Sequence, residues 1–244
     1  FWIIPYAKGI VAGLITLPAL LATGMNPLMA LGTNKLQSTL GTGGAALAYA
    51  RGGHMRIGRY WPTVAAAFLG SLLGAWLVQR VSPAFLAAII PVLLIAMAGY
   101  FLFSHRLGEE DRHHRVGIVG LSVLIGAVGC YDGFFGPGAG AFYTTVFLSM
   151  GGLGLLRATA QTKAANFASN LSALALLMMA GHIAWVAGLV MAASNIIGAQ
   201  IGSRMAMRFG ARLIRPLLVV MSLALTAKML IDAENPVHIM LFGG

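Results

Sequence analysis

Long apolar stretches recur along this chain of 244 residues and restrict its fold more than any other feature. They lie at 60–80, 84–104, 164–180, 184–203 and 213–231. Each approaches the roughly 20 residues that an α-helix needs to cross a bilayer. Only 9% of the residues are charged, whereas an average soluble domain has about 25%. The sequence therefore predicts an all-α polytopic membrane protein that lies in a lipid bilayer.

Four shorter apolar pieces lie at 10–23, 35–50, 116–131 and 139–150. They fit either tilted spans or half-helices that enter the bilayer and return. A hydrophilic linker at 105–115 divides the chain into a first transmembrane repeat, 1–104, and a second one, 116–244. No basic stretch precedes the first apolar run and Phe1 is not an initiator methionine, so we expect no cleavable signal peptide and a missing natural start.

The net charge of +10 comes mainly from a shortage of acids, because 16 Lys and Arg stand against 6 Asp and Glu. The basic residues punctuate apolar runs instead of forming a solvated face, which argues against a partner nucleic acid. Cys130 is the single cysteine, and no Cys and His pairs have zinc-finger spacing. We expect neither a metal nor a cofactor.

Arginines cluster in three connections between apolar stretches, at 51–59, 106–115 and 204–215. Basic residues near the ends of spans favour the cytoplasmic side, so we expect these three connections there. The turns at 82–83 and 181–182 have at most Arg80 close by, as is typical of exported turns. The arginines could instead simply contact lipid phosphates, and both interpretations can hold together.

The sequence aligns with itself after a shift of 128 positions. The aligned pairs are Lys35 with Lys163, Gly53-His54 with Gly181-His182, Gly70 with Gly198, Gly74 with Gly202, and Arg80 with Arg208. Internal repeats of this kind are typical of many secondary transporters. Arginines flank the first Gly-His pair and not the second, which predicts opposite sides for the two pairs and favours an inverted repeat.

Each repeat carries a polar stripe headed by a lysine. In a helix, residues at i, i+3 and i+7 share one face, and both stripes have this spacing from their lysine. A lysine at mid-bilayer is costly, so it should point into a protein or water-filled interior. The alternative is a lysine whose side chain reaches the headgroups from a helix end. The candidate substrate-binding residues are Asn34, Lys35, Ser38, Thr162, Lys163, Asn166 and Asn170.

Six glycines and a proline between positions 126 and 140 should interrupt a helix. Irregular backbone at membrane depth is tolerated where it is buried in protein or lines a polar cavity. The N–H groups at the start of the following half-helix suit an anion, which adds Gly136 and Gly138 to the substrate-binding candidates. Tyr131, Asp132 and Pro137 are the candidate residues for coupling or for breaking the helix.

Asp132 is the one acid outside the 109–111 linker and the tail that holds Asp232 and Glu234. It could carry a coupling proton, pair with a lysine or cap the broken helix. Burial disfavours the charged form of a carboxyl group and a nearby lysine favours it, so the sequence leaves these roles open.

Three long motifs can be compared with known families: ALGTNKLQS at 30–38, YDGFFGPGAG at 131–140 and RATAQTKAANFASN at 157–170. With them the chain resembles the TauE/SafE family of sulfite and organic-anion exporters, in one register from about residue 13 to 230. The resemblance implies a multi-pass secondary transporter of the bacterial inner membrane. It also implies a small anionic substrate such as sulfite, a sulfonate or a related organosulfur or carboxylate compound.

The chain departs from the family at its start, where members carry an acid and a glycine-rich turn before the GLITLP segment. Under a shift of 127, Pro5 occupies the position of Asp132, so the first half-site is truncated or divergent.

Other function classes have less support. An enzyme would need a nucleophile and a base, and the sequence has no GxSxG or HExxH motif; it has no GxxxxGK[ST] loop for ATP either. A non-transporting membrane subunit or scaffold, or an uncoupled anion channel, is the alternative, although a scaffold has no physical need for paired intramembrane lysines.

Overall fold

The structure, a computed structural model, describes residues 16–17, 19–21, 23–82, 85–86, 89 and 116–209, and beyond position 200 only the backbone and Arg204. These residues form α-helices joined by short turns, with no β-strand among them. The all-helical prediction is therefore confirmed for this part of the chain. The 105–115 linker and the stretches predicted at 84–104 and 213–231 lie largely or wholly outside the described residues.

The described residues form α1 (Pro27–Arg51), α2 (Ile57–Val78), α3 (Ile118–Phe134), α4 (Ala139–Ser149), α5 (Leu155–Met179) and α6 (Trp185–Phe209). Four of these helices agree within a few residues with apolar stretches of the sequence. By contrast, α1 and α5 begin eight or nine residues before the predicted stretches at 35–50 and 164–180. Their first turns carry the polar motifs, which interrupt the apolar run without interrupting the helix.

Local sequence explains the ends of α1. The side chain of Asn26 caps the helix by accepting a hydrogen bond from the backbone N–H of Leu28 at 3.0 Å, and Pro27 occupies the first helical position. After Arg51 the chain turns through Gly53, whose φ of +71° is a left-handed conformation that favours glycine. The helix thus starts and stops on residues suited to those positions.

The helix boundaries follow the 128-residue repeat. The same shift converts both ends of α1 into both ends of α5, and the first residue of α2 into the first residue of α6. Glycines with positive φ match as well, because Gly24 and Gly53 correspond to Gly152 and Gly181. The packing repeats too, since α1 packs against α6 and its equivalent α5 packs against α2.

One of the described helices, α2, is by length and composition both long and apolar enough to cross a membrane, with a mean hydropathy of 1.5. The apolar part of α6 and the helices α3 and α4 are shorter. Large apolar side chains are exposed on α2, α3 and α6: Trp61, Leu69, Leu73, Val119, Val123, Val186 and Val190. Such a surface fits contact with lipid better than contact with water.

Glycines bring α2 and α3 into close contact. A Cβ on Gly70 or Gly74 of α2 would collide with backbone atoms of α3, and a Cβ on Gly133 of α3 would collide with the backbone of α2 at Ser71. Small residues at this spacing let helix backbones approach closely, so Gly70 and Gly74 allow α2 and α3 to pack tightly. The end of α3, which carries Asp132, is therefore held firmly against α2.

Candidate functional site

Lys35 lies in the third turn of α1 and has only 1% of its surface exposed. Its ammonium group donates to the Oδ1 atom of Asp132 at 2.6 Å, to the backbone oxygen of Asp132, and to the Oδ1 atom of Asn170 at 3.1 Å. An ammonium group has three N–H donors. All three are therefore taken by acceptors within the protein.

Asp132 lies in the last turn of α3 and forms a buried ion pair with Lys35, with 2% of its side chain exposed. Its second carboxylate oxygen, Oδ2, accepts a hydrogen bond from the hydroxyl of Ser169 at 2.6 Å. The backbone oxygen of Ser169 in turn accepts a hydrogen bond from the hydroxyl of Ser71 at 2.7 Å. Residues of α1, α2, α3 and α5 thus meet around one carboxylate whose two oxygens are both engaged.

Asn170 connects the two polar stripes. Its Nδ2 atom donates to the side-chain and backbone oxygens of Asn166, one turn earlier in α5, at 2.6 and 2.8 Å. With its amide nitrogen held in this way, Asn170 directs its Oδ1 atom towards Lys35. A residue from the stripe of the second repeat therefore binds the lysine of the first.

The predicted interruption of the helix is confirmed, because α3 ends at Phe134 and α4 begins at Ala139. Gly136 and Gly138 in the connection have φ values of +98° and +80°. The hydroxyl of Tyr131 donates to the backbone oxygen of Pro137 at 2.7 Å and so braces the turn. A Cβ on Gly136 would stand 2.8 Å from the Nζ atom of Lys35, so the turn folds directly against the ion pair.

Lys163 occupies the equivalent position in α5 but has different surroundings. It is half-buried, and it forms no hydrogen bond or ion pair with any residue in the described ranges. Its neighbour Thr162 is 2% exposed, and the Thr162 hydroxyl lies 3.1 Å from the hydroxyl of Thr144 in α4. The structure therefore links Thr162 to α4 and leaves the ammonium group of Lys163 without an acceptor among the described residues.

The remaining candidates of α1 make local contacts. The Oδ1 atom of Asn34 accepts a hydrogen bond from the Nε2 atom of Gln37 at 2.9 Å. Ser38 is half-buried, and its backbone oxygen accepts from the hydroxyl of Thr42 at 2.6 Å. Neither side chain joins the group around Asp132. The residues that do come together are Lys35, Asp132, Gly136, Asn166 and Asn170.

The sequence analysis missed two members of the group around Asp132, Ser71 and Ser169. Both are completely buried. Ser169 directly precedes Asn170, and Ser71 lies inside the Gly70 to Gly74 packing motif. The available signal for these two serines was a hydroxyl group at a position where close helix packing requires a small residue. Within the described ranges, no three His, Cys, Asp or Glu side chains lie close enough together to hold a metal ion.

Residues 5–229 match the family described as "Sulfite exporter TauE/SafE". A "Probable membrane transporter protein ORF9" of Sinorhizobium sp is 44% identical over 230 residues, which are 94% of this chain and 88% of the relative. A "Probable membrane transporter protein" of Haemophilus influenzae is 44% identical over 90% of this chain and 87% of its own length. The "Probable membrane transporter protein YfcA" of Escherichia coli is 42% identical over 91% of this chain and 83% of its own length. No solved structure matches the chain.

Proposed function

The chain belongs to the sulfite exporter TauE/SafE family and is a membrane transporter, and on that premise we propose that it exports small anions across the bacterial inner membrane. The substrate class is sulfite, sulfonates and related organosulfur or carboxylate anions. Transport is secondary, because an inside-negative potential already favours anion exit by about 2.3 kcal/mol per elementary charge per 100 mV.

One observation carries the proposal: Lys163, half-buried in α5, has an ammonium group without an acceptor among the described residues. A buried or half-buried cation is unfavourable unless something compensates it. A scaffold gains nothing from such a group. In a transporter, the substrate anion supplies the missing charge, and Asn166 of the same stripe and the adjacent Thr162 line its path.

We also propose that the two repeats are inverted. Lys35 and Leu36, early in α1, contact Asn170 and pack with Leu174, late in α5. Further along α1, the ring of Phe167 lies 2.9 Å from where a Cβ on Gly43 would stand. Positions therefore advance along α1 while they go back along α5, as in antiparallel helices. Since α1 and α5 are equivalent in the repeat, antiparallel packing supports an axis in the membrane plane.

Labelling from each side of the membrane tests the inversion and the multi-pass topology. In a Cys130→Ala background, a single cysteine is placed at His54 or at His182, and a membrane-impermeant maleimide is added to right-side-out and to inside-out membrane vesicles. We expect His54→Cys to react from the cytoplasmic side, because Arg51, Arg56 and Arg59 are exposed around it. His182→Cys should react from the opposite side. Reaction of both cysteines from one side would reject the inversion.

The contacts of Asp132 support pairing with Lys35 over the role of proton carrier. Both carboxylate oxygens are occupied, by Lys35 and by Ser169, and a proton would have to displace one of these partners. Asp132→Asn, in proteoliposomes with an imposed pH gradient at zero membrane potential, separates the roles. Loss of the pH dependence with retention of flux would identify Asp132 as the coupling group.

Anion flux in proteoliposomes tests the function itself. The purified protein should move a sulfonate or sulfite in a saturable way, and an excess of substrate on the far side should accelerate the exchange of labelled substrate. A scaffold shows no flux under any gradient. An uncoupled channel shows flux without that acceleration. Lys163→Gln should reduce the flux towards background. Lys163→Arg, which keeps the positive charge, is the control.

A further inference from the structure

The two lysines differ in what they can offer a ligand. The donors of Lys35 already point at Asp132 and Asn170, and an ammonium group has no fourth N–H. Lys163 donates to no residue in the described ranges. A ligand that enters this conformation therefore finds available N–H groups on Lys163 and none on Lys35.

The charge inside the described part of the protein follows from the same contacts. Among its Lys, Arg, Asp and Glu side chains, the ones that are not exposed are Lys35, Asp132 and Lys163. Lys35 and Asp132 neutralise each other at 2.6 Å. The other acids of the sequence lie in the linker and the tail, at positions 109–111, 232 and 234. The described interior thus has a net charge of +1, carried by Lys163.

A second donor lies next to Lys163. Asn166 follows it by three residues and so lies on the same face of α5. The Oδ1 atom of Asn166 is held by Asn170, while its Nδ2 atom donates to no described residue. An ammonium and an amide N–H one helical turn apart can bind two oxygens of one sulfonate or carboxylate group.

We propose that the transporter binds its anion through Lys163 and Asn166 and selects singly charged anions over dianions of the same shape. The inference rests on the proposed anion transport and narrows its substrate class to monovalent sulfonates, hydrogensulfite and monocarboxylates. A monoanion makes the described interior neutral. A dianion leaves one negative charge uncompensated in a region of low dielectric constant, which is strongly unfavourable.

Matched pairs of anions test the charge selection. The purified full chain in proteoliposomes is assayed with methanesulfonate against sulfate, and with propionate against malonate, at a pH where each second member is a dianion. In the pair whose monoanion is transported, we expect the apparent affinity for the monoanion to exceed that for the dianion by at least about tenfold. Equal transport of a dianion and its monoanion partner overturns the charge inference and leaves the proposed function standing. If wild-type protein moves no anion, the proposed function fails and this inference fails with it.

Two substitutions locate the binding group. Asn166→Asp keeps the acceptor for Asn170 and nearly the same shape, but it places a negative charge beside Lys163. Flux of the monoanion should then fall at least about tenfold, whereas Asn166→Ala, which removes only one donor, should lower it less. Elution at the wild-type position and an unchanged melting temperature in detergent establish that each variant is folded. A folded Asn166→Asp or Lys163→Gln variant with wild-type affinity for the monoanion overturns the assignment.

Discussion

Lys35 and Lys163 occupy equivalent positions in the repeat and have different partners. Lys35 is 1% exposed and binds Asp132 at 2.6 Å, while Lys163 is half-buried and has no ion pair among the described residues. The acid that pairs with Lys35 comes from the break between α3 and α4, and under the shift of 127 the sequence has Pro5 at the matching position of the first repeat. The described part of the repeat thus keeps the place of the lysine in both halves, and only Lys35 has a described acidic partner. In our proposal, one lysine stabilises the fold and the other binds the ligand.

The largest expected effect on stability, and the strongest test of this comparison, comes from removing the carboxylate of Asp132. Asp132→Asn leaves the ammonium group of Lys35 buried without a countercharge, and we expect it to destabilise the protein by about 3–5 kcal/mol. Lys163→Gln removes a charge that has no described partner, and its effect on stability should stay within about 1 kcal/mol. Thermal melting of the two variants in detergent, followed by tryptophan fluorescence, measures the difference.

A double substitution provides the control for Asp132→Asn. Lys35→Met combined with Asp132→Leu removes both charges, and it should recover much of the lost stability because no unpaired ion is left inside. If Asp132→Asn melts at the same temperature as Lys163→Gln, the ion pair does not stabilise the fold, and the proposed division of roles between the lysines is wrong.

The next effect in size concerns the turn against the ion pair. In Gly136→Ala, the alanine would have to adopt the positive φ of Gly136. Its Cβ atom would stand 2.8 Å from the Nζ atom of Lys35. We expect a loss of about 2–3 kcal/mol. Gly53→Ala is the matched control, because Gly53 also has a positive φ but has no atom within 4 Å of its would-be Cβ. Its loss should be about 1 kcal/mol. Equal melting temperatures for the two variants would show that the turn does not press on the ion pair.

The sequence predicted the helix break between α3 and α4 and the offset of 128 residues between equivalent helices, and it singled out Lys35 and Lys163. Each of these features depends on local composition or spacing. It did not predict the start of α1 or α5. Hydropathy treats a polar motif such as 31–38 as the end of a span, whereas these side chains are buried against other helices. The sequence also did not predict which lysine pairs with Asp132, because Lys35 is 97 positions away in the chain. Such a pair is fixed by packing, which brings the end of α3 against the third turn of α1.

A smaller effect tests the second oxygen of Asp132. Ser169→Ala removes the hydrogen bond to Oδ2 but leaves the ion pair with Lys35 in place. The expected loss is about 1.5–2 kcal/mol, as for a hydrogen bond to a charged group. Ser172→Ala is the control, because Ser172 is equally buried and donates to a neutral backbone oxygen, that of Ser169, at 3.0 Å. Its loss should be nearer about 1 kcal/mol. A reversed order of melting temperatures would contradict the account of Asp132.

The smallest effect lies on the side of Lys163, where the hydroxyls of Thr162 in α5 and Thr144 in α4 lie 3.1 Å apart. The hydroxyl of Thr144 donates its one hydrogen to the backbone oxygen of Gly140 at 2.8 Å, so in the contact with Thr162 the donor is Thr162. Thr144→Val removes the acceptor, and Thr162 can turn its hydroxyl towards its own helix. We therefore expect a loss of only about 0.5–1 kcal/mol. Ser122→Ala, whose hydroxyl donates to the backbone of its own helix, is the control. A loss as large as that of Asp132→Asn would mean that the surroundings of Lys163 are as firmly built as those of Lys35, and the comparison between the two lysines would fail.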